Sequence, residues 1–339
     1  MHSVCLVGLG YWGKVLARNL DNHPKFQISA IVDSNPDMET FSKKIFATTY
    51  YSDLEDAISK HSFDVIFIAT RPNSHLKLAT VALSKCRILV ISKPGCSTLQ
   101  ESQMLAEKSH LTETRVLVDY TYHYSPLYRK TKVLFEEIYK NDTVSIVSYR
   151  TALGIIQSDV NVIEDLICHD IAFLLTLLGD SVRKVHSREL DVLGFNKPTS
   201  ALSTITWDSG TTLTSHTSWT TPRKMRTISI ASKSRGLVLN DLDDSKTIEI
   251  LEFDTKNLHP NGTSPSLKSN VAFELTKSYF SEVETSESVF EELNEIDLLL
   301  SGSPNAEVYT LERSLSVWKV LTALNESQST SLEIEIDSI

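Results

Sequence analysis

The stretch Val4-Cys5-Leu6-Val7-Gly8-Leu9-Gly10-Tyr11-Trp12-Gly13 decides how this chain is read. Residues 4–7 are a short apolar run of β type, and residues 12–20 are amphipathic with helical spacing. Between them stands G-x-G-x-x-G. Glycines at these positions permit a tight turn, close approach of backbone to a pyrophosphate, and close helix–strand packing. The helix N-terminus behind them offers N–H donors and the positive end of its dipole to phosphate. Alone, the pattern is compatible with a bare turn. Asp33, at the end of a second strand twenty residues beyond Gly13, supplies the carboxylate that would accept both ribose hydroxyls of an adenosine. The expected ligand is therefore a dinucleotide, and NAD over NADP, because Asp33 would repel a 2′-phosphate and Ser34 and Asn35 bring no arginine to offset it. The competing reading of Asp33 is a helix N-cap.

Outward from this unit the alternation continues. Strands are expected over 27–32, 64–69, 87–92 and 115–118, with helices over 38–46, 75–83 and 99–109. Strands apolar on both faces, separated by helices, give a parallel sheet covered on both sides. Beyond it come a helix over 126–139, a strand over 144–150 and a strongly apolar helix over 163–178. Closely spaced β segments then follow over 202–207, 211–217, 227–231, 236–239 and 247–251. These read as an antiparallel meander. A loop is expected over 259–269, helices over 272–284 and 306–324, and an edge strand over 331–336. The fold class is α/β: a doubly wound dinucleotide-binding domain over 1–121, then an α+β domain over 122–339 with a large, mostly antiparallel sheet.

The bulk composition fits that division. A chain of 339 residues exceeds one ordinary core. A net charge of −10 argues against non-specific binding of nucleic acid or anionic membrane. No apolar run approaches the about 20 residues of a membrane span. The N-terminus lacks the pattern of a signal peptide, so a cytoplasmic protein is expected. Cys5, Cys86, Cys96 and Cys168 have no C-x-x-C spacing and read as buried free thiols, not as a metal site.

Two further features carry chemistry. Lys93 follows the strand over 87–92 and precedes Pro94 and Gly95, at the carboxyl end of a parallel strand, where open α/β sheets bind ligands. There an ammonium group can stabilise charge developing on a substrate oxygen. Taken alone, a solvated lysine in a strand-to-helix loop explains it as well or better. Asp165 and His169 stand four apart in the apolar helix and so share a face. A carboxylate beside a histidine orients the ring and favours its protonated form. An ordinary helical pair, or an aspartate capping the helix, is the competing reading. Two ligands are too few for a metal site.

Together these elements resemble the Gfo/Idh/MocA family of nicotinamide-dependent oxidoreductases over nearly the whole chain. Ala69-Thr70-Arg71-Pro72-Asn73-Ser74-His75 resembles its A-T-P-x-x-x-H segment, with Arg71 in place of the first proline. Ser92-Lys93-Pro94 aligns with Glu-Lys-Pro, and Asp165 to His169 with the D-x-x-x-H helix. The stretches 119–126 and 157–162 are similar to those of members near sugar and nucleotide-sugar metabolism.

The resemblance implies that Lys93, Asp165 and His169 meet beside the nicotinamide. Lys93 would polarise the reacting oxygen, His169 would act as acid or base, and Asp165 would orient it. It implies a cofactor site drawn from Gly8, Gly10, Tyr11, Trp12, Gly13, Asp33, Ala69, Thr70, Arg71, Asn73, His75 and Lys93. Tyr120, Tyr122, Arg150 and Asn161 join Lys93 and His169 as candidates for substrate groups. It further implies a homodimer or homotetramer built on the open sheet face, and often a cis peptide before Pro94. The departure is Ser92, where the family has glutamate. It motivates a rival expectation, a cofactor-binding sensor or partner subunit with little turnover. A third keeps the enzyme and changes the substrate to a non-sugar imine, aldehyde or dihydrodiol.

Overall fold

The computed structural model of the protein describes residues 1–46, 48–139, 142–157, 160–243, 247–257 and 271–336. The loop expected over 259–269, and Ser158 and Asp159 of the stretch 157–162, lie outside these. The strands are β1 (His2–Val7), β2 (Phe26–Val32), β3 (Thr49–Tyr51), β4 (Val65–Ile68), β5 (Ile88–Ser92), β6 (Arg115–Asp119), β7 (Ser145–Leu153), β8 (Val182–Leu190), β9 (Ser200–Trp207), β10 (Thr212–Ser218), β11 (Thr220–Ala231), β12 (Arg235–Asn240), β13 (Thr247–Asn257), β14 (Val271–Glu282) and β15 (Ile334–Glu335). The α-helices are α1 (Tyr11–Asn22), α2 (Asp37–Phe46), α3 (Leu54–Lys60), α4 (His75–Ala82), α5 (Leu99–Ser109), α6 (Pro126–Tyr139), α7 (Cys168–Leu178), α8 (Ser288–Leu300) and α9 (Leu311–Thr330). Among the described residues, no helix is long and apolar enough to cross a membrane.

The chain divides into two compact units. The first is Met1–Ser125 with Gln157–Leu175 and Ser286–Thr322; the second is Pro126–Ile156, Thr176–Thr285 and Ala323–Ile339. In the first, six parallel strands run in the order β3-β2-β1-β4-β5-β6. The order reverses at β1, which lies between β2 and β4, and such a switch point leaves a crevice at the strands' carboxyl ends. The core explains why these segments pair: Val4, Leu6, Phe67 and Val90 are buried beneath Leu16 and Leu20 of α1. Val289, Leu293, Ile296 and Leu300 of α8 complete that cluster. Each such side chain contributes roughly 1.5–3 kcal/mol on full burial.

In the second unit nine strands run in the order β14-β13-β12-β11-β7-β10-β9-β8-β15. All the pairings are antiparallel except β7 with β10. Helix α6 belongs to this unit, and its Tyr139 hydroxyl donates to the Ile230 carbonyl at 3.0 Å.

Three expectations are corrected. The helix expected over 272–284 is strand β14, paired along its length with β13. Phe273, Leu275 and Tyr279 alternate with polar neighbours, which is the period of a strand; Phe273, Leu275 and Phe280 nevertheless stand exposed. The helix of this region is α8, which starts at Ser288, and the helix expected over 306–324 is α9, displaced toward the C-terminus. The apolar helix expected from 163 opens as a π turn, Ile163–Ile167, before α7.

Candidate active site

The glycine loop joins β1 to α1 at the switch point. Gly8 has φ +93°, and a Cβ there would lie 2.9 Å from both the Ala69 carbonyl carbon and Thr70 Cγ2. A Cβ on Gly13 would lie 1.9 Å from the Gly8 carbonyl oxygen. Around Gly10 nothing stands within 4 Å of such an atom, so the backbone is open to a ligand at the start of α1. Residues of this shape fit a pyrophosphate: two glycines close the loop, and the third leaves its face bare.

Asp33 ends up beside this loop. Its Oδ2 accepts from the Leu9 N–H at 2.6 Å and its Oδ1 from the Asn35 N–H at 2.8 Å. The competing N-cap reading fails, because α2 begins only at Asp37. Tyr11, Arg71 and Asn73 are exposed. His75 is wholly buried, with Nε2 2.9 Å from the Thr70 carbonyl and Nδ1 against the Gly95 carbonyl, so its ring ties two loops together.

Lys93 follows β5, and the Lys93–Pro94 peptide is cis. Trp318 Nε1 donates to the Pro94 carbonyl at 2.8 Å, fixing the turn from α9. Lys93 Nζ donates to Asp165 Oδ1 and to the Asp165 carbonyl, both at 2.7 Å. With side chains 26% and 18% exposed, the pair is shielded yet reachable. The π turn carries Asp165 to this contact; such single-turn insertions recur at functional sites. Asn161 opens the turn as half of a capping box: its Oδ1 accepts from Glu164 N–H at 2.8 Å, and Glu164 Oε2 accepts from Asn161 N–H at 3.0 Å.

His169, half-buried, stands edge-on to Tyr122 with ring centroids 4.8 Å apart and to Tyr120 at 6.4 Å. Tyr120 is buried, packed also on Tyr309 at 4.7 Å, and its hydroxyl has no hydrogen-bond partner among the described residues. Burial raises that phenol well above its ordinary range. Arg150 belongs to the second unit, where it is buried and donates to the Tyr128 hydroxyl at 3.2 Å.

Two acids absent from the sequence reading also belong here. Asp119 ends β6 in register with Ser92 of β5. Its Oδ2 accepts from Trp12 Nε1 and its Oδ1 from Thr121 Oγ1, both at 2.6 Å. Glu292 of α8 lies beside it, 0% exposed, and neither of its carboxylate oxygens has a hydrogen-bond donor among the described residues. Burial lifts the Asp119 carboxyl above its usual range, while the bonds from Thr121, Trp12 and Glu292 and the charge of Lys93 pull it down. Burial, then the charge of Asp119, holds Glu292 well above that range. Burial also pushes the Cys86 and Cys96 thiols up to about 12.

Comparison with known proteins agrees with the fold. Residues 2–120 match the model of the Gfo/Idh/MocA oxidoreductase family, described as an NAD-binding Rossmann fold. A D-xylose 1-dehydrogenase [NADP(+)] of Haloarcula marismortui is 21% identical over 40% of this chain and 39% of its own length. The curated relatives are thus matched over only 29% and 39% of their own lengths. UDP-N-acetylglucosamine 3-dehydrogenase GnnA from Acidithiobacillus ferrooxidans superposes with a TM-score of 0.80 at 14% identity, covering 97% of this chain and 98% of that one. An oxidoreductase from Agrobacterium radiobacter, solved with NAD+, L-tartaric acid and magnesium, gives 0.82 at 17% identity, covering 99% of both. At these identities the likeness is one of fold. Residues 2–120 are thus similar to the NAD-binding Rossmann domain of the Gfo/Idh/MocA oxidoreductase family.

Proposed function

We propose that the chain is an NAD(H)-dependent oxidoreductase that moves a hydride between nicotinamide and a hydroxyl- or keto-bearing carbon of a sugar or nucleotide-sugar. The observation that carries this reading is the Lys93–Asp165 contact at the carboxyl edge of the parallel sheet, with His169 four residues further along. Lys93, held at 2.7 Å by the Asp165 carboxylate, can hydrogen-bond the reacting oxygen. His169 takes the hydroxyl proton when the substrate is oxidised and returns it on reduction. Asp165 fixes Lys93, and the Asn161–Glu164 box fixes the turn that carries Asp165. A bound nicotinamide would supply the hydride acceptor or donor. The glycine loop would hold the pyrophosphate. Asp33 would meet the ribose hydroxyls and select NAD. A sugar substrate is supported by what the chain is similar to: a UDP-N-acetylglucosamine 3-dehydrogenase in fold, and in part of its sequence a D-xylose 1-dehydrogenase.

The test begins with a titration by NADH and by NADPH, followed through energy transfer from tryptophan, since Trp12 lies in the loop. A screen of keto-sugars and their nucleotide-linked forms follows. Lys93→Ala and His169→Ala are each expected to lower kcat by about 10²–10³ while leaving NADH binding near that of the wild type. Unchanged turnover in both variants would sink the assigned roles.

A second reading rests on Ser92. Its hydroxyl is buried without a hydrogen-bond partner among the described residues, and it supplies no charge behind Lys93. A cofactor-binding subunit with little turnover would look like this. It predicts NADH binding with no hydride transfer to any keto-sugar, and no rate gain in Ser92→Glu.

A further inference from the structure

Asp119 and Glu292 are 1% and 0% exposed, and neither has a place in the chemistry above. Two carboxyl groups side by side without water do not both ionise, since the charges repel and neither is solvated. Both Glu292 oxygens are buried without a donor among the described residues, and one proton shared between the two acids, donated by Glu292 and accepted by Asp119, would resolve this. Asp119 then keeps the charge that its other bonds require, from the indole of Trp12 and the hydroxyl of Thr121. Charge-assisted bonds of this kind are about twice as strong as neutral ones. Among the described residues, the groups that act on Asp119 are Lys93 at the end of β5, Glu292 on α8, Trp12 on the glycine loop and Thr121 just after β6, and Asp119 acts on Glu292. Trp12 is the only one of these that belongs to the glycine loop, two residues after Gly10, where the backbone lies open.

We propose that Asp119 is a positioning residue for the dinucleotide: sharing one proton with Glu292, it holds the Trp12 indole and thereby sets the glycine loop in its binding shape. The inference rests on the dinucleotide binding proposed above. Loss of the shared proton puts a second negative charge beside Asp119 and turns the hydrogen bond between the acids into repulsion. The loop is loosened through Trp12, with no change in any group that touches the ligand.

The test is NADH affinity from pH 6 to pH 9.5 in the full chain. Trp12→Phe and Asp119→Ala are each expected to weaken binding about tenfold, the size of one charge-assisted bond. The double variant should be little worse than either one, since both remove the same contact. Affinity in the wild type should fall on the alkaline side, whereas Glu292→Gln, which keeps a neutral donor at every pH, should flatten the profile. The Trp12 indole N–H resonance, identified by its loss in Trp12→Phe, should move with pH in the wild type and stay put in Glu292→Gln. This readout needs no cofactor, and Trp12→Phe serves if Asp119→Ala does not fold. Wild-type affinity in Trp12→Phe, or equal pH profiles for wild type and Glu292→Gln, overturns the proposal alone. A wild type that binds neither NADH nor NADPH overturns the dinucleotide reading, and this inference with it.

Discussion

Two carboxylates reach the same glycine loop in opposite surroundings. Asp33 is partly exposed and takes the loop by its backbone, through the N–H of Leu9, with a second bond to Asn35 nearby in sequence. Asp119 is buried and takes the loop by a side chain, the indole of Trp12, and its neighbour Glu292 comes from a helix more than 170 residues further along. Water reaches the first carboxylate from its exposed side. Nothing but protein solvates the second, so Asp119 is stable only within a network that balances its charge. On the proposed reading the first grip would also meet a ligand, and the second would only keep a loop in place.

The most direct way to break both grips is to spoil the loop they share. In Gly13→Ala the new methyl would fall 1.9 Å from the Gly8 carbonyl, a backbone atom that cannot swing away as a side chain would. The loop must shift, carrying Leu9 off Asp33 and Trp12 off Asp119. NADH binding is expected to fall at least a hundredfold, about 2.7 kcal/mol, with a lower melting temperature. A titration alongside a thermal melt measures both. Near-native affinity would mean that the loop's shape is held by something other than these contacts.

Next in size is Glu292→Gln, which acts on the buried grip alone. A carboxyl raised in the folded state contributes stability that is complete below its unfolded value, near 4.5, and is lost as pH rises toward and through the folded value. Asp119 shifts in the same direction. Stability relative to an uncharged residue at 292 therefore declines across that window, at up to about 1.4 kcal/mol per pH unit for one proton. Glutamine lacks the titration. Urea unfolding of the two proteins should give similar midpoints near pH 4.5 and a growing advantage for Glu292→Gln toward pH 9. A constant gap would mean that Glu292 does not titrate between the folded and unfolded states.

The same contrast separates what the sequence discloses from what it hides. Gly8, Gly13, Asp33 and the five apolar strand segments follow from local pattern, because each does its work within a strand or a turn of its own. Lys93 is legible as a position, the end of a parallel strand, but its partner is not: Asp165 lies 72 residues on and reaches it through a π turn that no i, i+4 count contains. Glu292 is hidden twice over. An acid in a helix reads as solvated surface, and the helix itself is expected elsewhere, over 272–284, where an exposed strand alternates without burying a face. The apolar spacing of Val289, Leu293, Ile296 and Leu300 was the signal for α8. His75 shows the limit of a short motif: its position matches, but only three dimensions show both ring nitrogens turned to carbonyls.

Asp33→Asn is the mildest way to sharpen the comparison, because it keeps the shape of the exposed grip and removes its charge. The amide oxygen can still accept from Leu9 or from Asn35, so the loop should hold and the melting temperature should change little. What disappears is the carboxylate that would take two ribose hydroxyls at once. A charge-assisted hydrogen bond exchanged for a neutral one is worth on the order of 1 kcal/mol, so NADH affinity should drop five- to tenfold. NADPH affinity should rise instead, since the repulsion of a 2′-phosphate goes with the charge. Parallel titrations with the two cofactors give the ratio directly. A ratio unchanged from wild type would mean that Asp33 serves the loop alone, as Asp119 does, and that selection between NADH and NADPH lies with other residues.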